Sequence, residues 1–332
     1  MQMTKKRVSI SALTEDILRA ELYFSAPPGS VNVFLIRDGA GWLAIDAGVS
    51  DDGTLAAWDE IFSSETIHGL PVTRILITHA HYDHMALAGS LSRRTQAPLM
   101  MSGREYALAS VLEKNPETYK DIKQAQLLAT DMASETVFRI LKHDDVREAV
   151  TSSLPREMIQ LGDGDTLKIG SENWDVILTG GHSPAQICLH SPDRGLLFSA
   201  DQILRKLPTF IPPEWSDRLL DPVEDFLDSL AKLRTLPPNT LVVPSHGKPF
   251  SDHRTRIDEI TSLHQARCAA IHEFCEQPRA GKDVLALLFP APASDAWLLF
   301  ALEETVAYLE HLVNKGLLRD FWRSGIRFFV RA

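Results

Sequence analysis

The chain has 332 residues, 44% of them hydrophobic and 23% charged, with a formal net charge of −10. This is ordinary globular composition, long enough for one large domain and a small one. With 34 basic residues against 44 acidic ones, phosphate backbones are repelled unless a local basic patch exists, so composition argues against nucleic acid as a partner. Cys188, Cys268 and Cys275 are too few and too scattered for a disulfide framework. No run approaches a transmembrane span, and the first 24 residues lack the apolar core of a signal peptide. The expected location is therefore cytoplasmic, without a membrane partner.

Residues 1–26 read as a lead-in with a first strand or two, closed by Pro27-Pro28-Gly29. Residues 31–36 form an apolar strand, Asp38-Gly39-Ala40-Gly41 a turn, and residues 42–46 the returning strand of a hairpin. A helix is expected over 54–63. Residues 74–77, Arg-Ile-Leu-Ile, then read as a buried strand that runs into Thr78-His79-Ala80-His81-Tyr82-Asp83-His84. Met85, Leu87, Ala88 and Leu91 follow at helical spacing, so the polar cluster lies on a strand-to-helix loop, where α/β folds place ligand sites. His79 and His81 are two apart, and an extended backbone turns both to one side. Three imidazoles and a carboxylate within six residues suit a borderline metal such as zinc, and their spacing suggests two metals.

After a strand at 98–101 the pattern changes. Residues 104–155 are dense in Ala, Leu, Glu and Lys, without a strand signal. This helical insertion is expected to cover one side of the active-site mouth, since it is too long for an ordinary loop. Gly162-Asp163-Gly164-Asp165 is a turn that opens a second strand-rich half. In that half, residues 174–178 lead into Gly180-Gly181-His182, residues 195–199 into Ala200-Asp201, and residues 240–243 into Pro244-Ser245-His246-Gly247. Arg205 and Lys206, just beyond Asp201, could face an anionic group on a substrate. An amphipathic helix is expected over 222–233, and helices over 257–276, 284–289 and 298–314. A hairpin over 319–330 ends the chain.

The cluster resembles the HxHxDH signature of the metallo-β-lactamase superfamily, and the likeness extends over roughly residues 28–250. In that family a third histidine, a bridging aspartate and a final histidine stand at the ends of later strands. The resemblance implies an α/β fold, an αββα sandwich with a helical insertion and a small, mostly helical C-terminal domain. It implies that His79, His81 and His182 hold one divalent ion, that Asp83, His84 and His246 hold another, and that Asp201 bridges them. The ions would be zinc first, with iron or manganese as alternatives. Asp46 is implied to support the metal loop from behind. One departure is Ala86, where the family usually has glycine.

The implied domains are 1–250, catalytic, with its insertion at about 104–155, and 251–332, a helical unit resembling a winged helix. The latter carries ten Lys and Arg against eleven Asp and Glu, a weak footprint for nucleic acid, so packing on the main domain or in a homodimer is the expected use. The implied activity is that of a dinuclear hydrolase acting on a small ester, thioester or lactone, as in glyoxalase II. A hydroxide held between the metals at roughly neutral pH would attack. Asp83 would take the remaining proton, and Tyr82 could donate to the oxyanion. A phosphodiesterase or ribonuclease of the same fold, and a mononuclear iron persulfide dioxygenase, remain alternatives.

Overall fold

The computed structural model describes residues 7–144, 153–206, 208–213 and 220–332. The first six residues of the expected lead-in, residues 145–152 of the insertion and Leu207 of the loop after Asp201 lie outside that description.

Two sheets face each other. The first holds β1 (Val8–Thr14), β2 (Ile17–Tyr23), β3 (Ser30–Asp38), β4 (Gly41–Ile45), β5 (Val72–Leu76), β6 (Leu99–Ser102) and β7 (Ile159–Leu161), side by side in that order. Pairing is antiparallel from β1 to β4 and parallel from β4 to β7. The second holds β8 (Thr166–Ile169), β9 (Glu172–Thr179), β10 (Gln186–Ser191), β11 (Leu196–Ala200) and β12 (Leu241–Pro244), in the order β12-β11-β10-β9-β8. A third, of β13 (Arg279–Ala280), β14 (Leu318–Arg323) and β15 (Ile326–Arg331), closes the chain.

Strands buried on both faces still alternate, and the alternation assigns each side chain to a layer. In β3, Phe34 and Ile36 point between the sheets and Val31, Val33 and Leu35 point outward; in β4, Leu43 and Ile45 point between them and Trp42 and Ala44 outward. In the second sheet Ile187, Leu189 and Phe198 fill the same inner layer, while Cys188 and Leu197 face out. A one-residue slip in any of these strands would exchange the two layers.

The helices are α1 (Asp52–Ser63), α2 (Tyr82–Met85), α3 (Ala88–Thr95), α4 (Gly103–Lys114), α5 (Pro116–Leu128), α6 (Ser134–Leu141), α7 (Pro222–Arg234), α8 (His253–Phe274), α9 (Gly281–Leu288) and α10 (Asp295–Asn314). Trp58 and Ile61 of α1 and Leu91 of α3 pack on the outside of the first sheet. Phe226 and Leu230 of α7, Ile257 and Ile260 of α8 and Tyr308 of α10 pack on the outside of the second. The result is the expected αββα sandwich.

Helix α10 starts three residues before its expected position because Ser294 caps it, accepting from the Trp297 amide. It is buried almost all round, which its four buried acidic and imidazole side chains would forbid if unpaired. Each has a partner: Glu303 meets Lys123, Glu304 meets Arg267, Glu310 meets Arg327 and His311 meets Asp221. Leu299 and Leu302 of the same helix pack with Leu127, Val137 and Ile140, so the insertion and the C-terminal helices share one core.

Arg194 clasps the sandwich at one edge. Its guanidinium donates to Asp16, in the β1–β2 turn, and to Glu172, at the start of β9. This pairing holds the Asp16 carboxyl below the usual carboxylate range, down at about 2. A depressed carboxylate contributes stability above its unfolded value and loses it as pH falls through the folded one. Arg194→Met is therefore expected to lower stability by about 1 kcal/mol at pH 7, as suits a half-exposed pair. The difference should vanish by about pH 2 in urea titrations; a pH-independent difference would contradict the ion-pair account.

Candidate metal centre

The seven side chains singled out in the sequence converge at one end of the inner layer. Asp46 follows β4 in a left-handed conformation, φ 63°, which aspartate tolerates better than most residues. Its Oδ1 accepts from the Thr78 amide at 2.8 Å and its Oδ2 from the Thr78 hydroxyl at 3.0 Å and from His84 Nδ1 at 2.8 Å. The supporting role implied for Asp46 is thus visible as three hydrogen bonds to the loop that follows β5.

These contacts settle which ring nitrogens face inward. His182 Nδ1 donates to the Phe210 carbonyl and His246 Nδ1 to the Ser30 carbonyl, each at 2.7 Å, and a carbonyl only accepts. The Thr78 hydroxyl spends its proton on Asp46, so at 3.0 Å it accepts from His79 Nδ1. In their neutral forms His79, His84, His182 and His246 therefore all turn an unprotonated Nε2 toward the centre.

His79 Nε2, His81 Nδ1 and His182 Nε2 lie 2.9–3.2 Å from one another. A tetrahedral zinc with bonds of about 2.0–2.1 Å would hold such nitrogens roughly 3.3 Å apart. Beside them, Asp83 lies 3.6 Å from His84 Nε2 and 3.4 Å from His246 Nε2. Asp201 Oδ2 stands between the groups, 3.5 Å from His182, 3.6 Å from His84 and 3.2 Å from His246. Three overlapping sets arise, His79-His81-His182, His79-His84-Asp201 and Asp83-His84-His246, each with donor atoms within 4.8 Å of one another.

The centre also contains polar atoms that protein alone does not satisfy. His84 Nε2 and Asp201 Oδ1 are buried without a hydrogen-bond partner. Burial holds the His79 and His182 rings below the usual imidazole range, and for His79 the charges of His84 and His81 add to it. Burial acts the same way on His84 and His246, but Asp201 and Asp83 outweigh it and raise both. Lone pairs aimed at one another and orphaned buried atoms fit divalent cations.

Tyr82 lines the cavity over the centre, yet its hydroxyl donates to the Pro27 carbonyl at 2.7 Å. Arg205 and Lys206 are exposed and do not line that cavity, so the structure sets them apart from the centre.

Two supports escaped the sequence reading. Glu105, fully buried in the first turn of α4, accepts from the Ala80 amide at 2.9 Å, the Ser183 hydroxyl at 2.6 Å and the Ala185 amide at 2.6 Å. It ties the His79-His81 loop to the His182 loop. Its only signal was the pattern Ser102-x-x-Glu105, which reads as an ordinary capping box. Asn32 donates through Nδ2 to the Pro244 and Gly247 carbonyls at 3.0 and 2.9 Å, bracing the turn that bears His246. Gly181 has a requirement of its own: at φ 98°, a Cβ there would lie 2.3 Å from Phe226 and 2.5 Å from the Pro222 carbonyl. Only glycine lets the chain pass α7 this closely on its way to His182.

A cavity of about 630 Å³ opens over the cluster. Arg104, Leu108, Leu112 and Tyr119 of the insertion line it, with Phe210 and, from the C-terminal part, residues 289–293, Trp297 and Phe300.

An αββα sandwich that gathers such a ligand set at its strand ends is the framework of a metal-dependent hydrolase. The chain belongs to the metallo-beta-lactamase superfamily, whose sequence profile matches residues 26–246; the profile of the metallo-beta-lactamase-like C-terminal domain matches residues 268–332. The family binds divalent metal ions. Among curated relatives, a probable metallo-hydrolase, YqgX, of Bacillus subtilis is 27% identical over 192 residues, covering 58% of this chain and 75% of that protein. A hydroxyacylglutathione hydrolase of Rhizobium etli is 26% identical over 231 residues, covering 68% of this chain and 70% of its own. A beta-lactamase domain protein from Burkholderia ambifaria superposes with a TM-score of 0.86 at 28% identity, over 97% of this chain and 94% of that one. A metallo-beta-lactamase family protein from Thermus thermophilus does so with a TM-score of 0.81 at 25% identity, over 97% and 100%.

Proposed function

We infer that the protein hydrolyses a small ester, thioester or lactone using two divalent ions. His79, His81 and His182 would hold one and Asp83, His84 and His246 the other, with Asp201 shared. One observation supports this most: seven donor side chains, four of them imidazoles fixed from behind with Nε2 inward, meet where a cavity reaches the interior. The mix of imidazole and carboxylate favours zinc, ahead of iron or manganese.

Divalent ions bound here would polarise a carbonyl and acidify a water to a pKa of roughly 7. The protein's own groups do the rest. The Asp83 carboxylate lines the cavity and is placed to accept the proton left by an attacking water. Tyr82 can donate to a developing oxyanion by releasing Pro27. Residues 1–250 would form the catalytic unit and residues 251–332 a wall of its cavity. No helix among the described residues is long and apolar enough to cross a membrane, and a small-molecule substrate in the cytoplasm suits the reading.

Elemental analysis, followed by a screen of thioesters, lactones and phosphodiesters, tests this. Two ions per chain and turnover of an acyl substrate are expected. Turnover confined to phosphodiesters, or oxygen consumption by an iron-loaded protein, would replace the reading with one of its competitors.

A further inference from the structure

The cavity is larger and more apolar than reaction at a single carbonyl requires. At about 630 Å³ it lies within the range of roughly 300–1,000 Å³ that encloses drug-sized ligands. Much of its wall comes from outside the sandwich: Leu108 and Leu112 belong to α4, Trp297 and Phe300 to α10.

Phe210 joins that wall to the metal centre. Its carbonyl accepts from His182 Nδ1 at 2.7 Å, while its ring meets Phe300 edge-on with centroids 4.8 Å apart. Phe300 in turn lies 5.5 Å from Trp297, which is 40% exposed. Three rings thus run from a metal-facing histidine along the first turns of α10. An exposed aromatic inside a concave wall marks a surface built to be covered by a ligand.

The charges in the wall do not suit a polyanion. Apart from the candidate metal ligands, Arg104, Lys123 and Arg267 stand against Asp144, Asp225, Glu303 and Glu304 among the described residues. Lys123 and Arg267 are already paired, with Glu303 and Glu304 respectively. Phosphate backbones would meet a wall without surplus positive charge.

We propose that the C-terminal unit builds an acyl subsite, and that the substrate is an ester or thioester with a large apolar acyl group lying on Phe210, Phe300 and Trp297. This rests on the acyl-hydrolase reading above and specifies its substrate class. The C-terminal unit then acts as the specificity wall of the enzyme, and not as a nucleic-acid-binding appendage.

The test uses the full-length, metal-loaded protein and straight-chain acyl thioesters of N-acetylcysteamine from acetyl to octanoyl. If each methylene is buried, kcat/KM rises by up to about fourfold per carbon until the cavity is filled. Phe300→Ala is expected to lower the octanoyl-to-acetyl ratio of kcat/KM by about tenfold, and Phe300→Leu to restore part of it. Calorimetry on metal-free protein gives a second readout, in which octanoate binds more tightly than butyrate and Trp297→Ala weakens octanoate selectively. A flat acyl series together with equal binding of the two acids overturns the acyl subsite and leaves the hydrolase reading standing. Selective octanoate binding without turnover of any acyl substrate removes that reading instead, and retains an apolar subsite on these residues.

Discussion

Asp201→Ala is expected to strip most bound metal from the protein and to lower hydrolysis by on the order of a thousandfold, both losses appearing in the same preparation. Asp201 lies within 3.6 Å of histidines from both groups, His182 on one side and His84 and His246 on the other. Burial alone would raise its carboxyl, but His246 and His84 hold it well below the usual carboxylate range, so it stays ionised. Removing it takes away a negative charge placed between the two histidine groups, and metal-based catalysis of several kcal/mol would correspond to this loss of rate. Elemental analysis beside a progress curve checks it. Full metal content with full turnover in the alanine variant would refute the shared-ligand assignment.

The second large effect falls on a residue that touches neither metal nor substrate. Glu105→Ala should destabilise the fold by about 3–5 kcal/mol and weaken metal binding about 10–100-fold. The variant orphans the amides of Ala80 and Ala185 in a dry interior, and each unsatisfied buried donor costs about 1–3 kcal/mol. Glu105→Gln keeps the shape and one acceptor oxygen, so its loss should be smaller. Urea titrations with and without added zinc measure both quantities. An alanine variant with native stability and native zinc affinity would show that Glu105 is a bystander.

Glu105 also changes how the insertion is to be understood. A segment beginning near residue 104 reads from sequence as a helical insertion covering one side of the active-site mouth, because its composition turns helical there. Its first turn in fact braces the metal loops, and its later helices share a core with α10. Removing all of 104–155 would therefore damage the centre as well as the substrate wall. A trimming experiment has to begin after Glu105.

The ligands themselves were legible because each follows the same local grammar, an apolar strand that ends in a polar residue, and because four of them fall within six residues. The strands of the first hairpin were legible for the same reason. What the sequence hides is any contact between side chains far apart in the chain. Glu105 looks like a helix cap and Asn32 like one polar residue in a strand, until folding brings residues 80, 183 and 185 to the first and residues 244 and 247 to the second. The central strand β10 has no counterpart among the expected strands, since a strand buried on both faces shows no polar alternation. The wall supplied by α10 was hidden too: its charged residues suggest a solvated helix, and only their pairing reveals a buried one.

Asn32 reaches across more than two hundred residues to fasten the turn that carries the last histidine. A nascent or truncated chain that stops short of this turn lacks His246, so the full set of donors can assemble only after this late segment has folded. The metal content of a preparation consequently doubles as a gauge of how much of the chain has reached its finished shape.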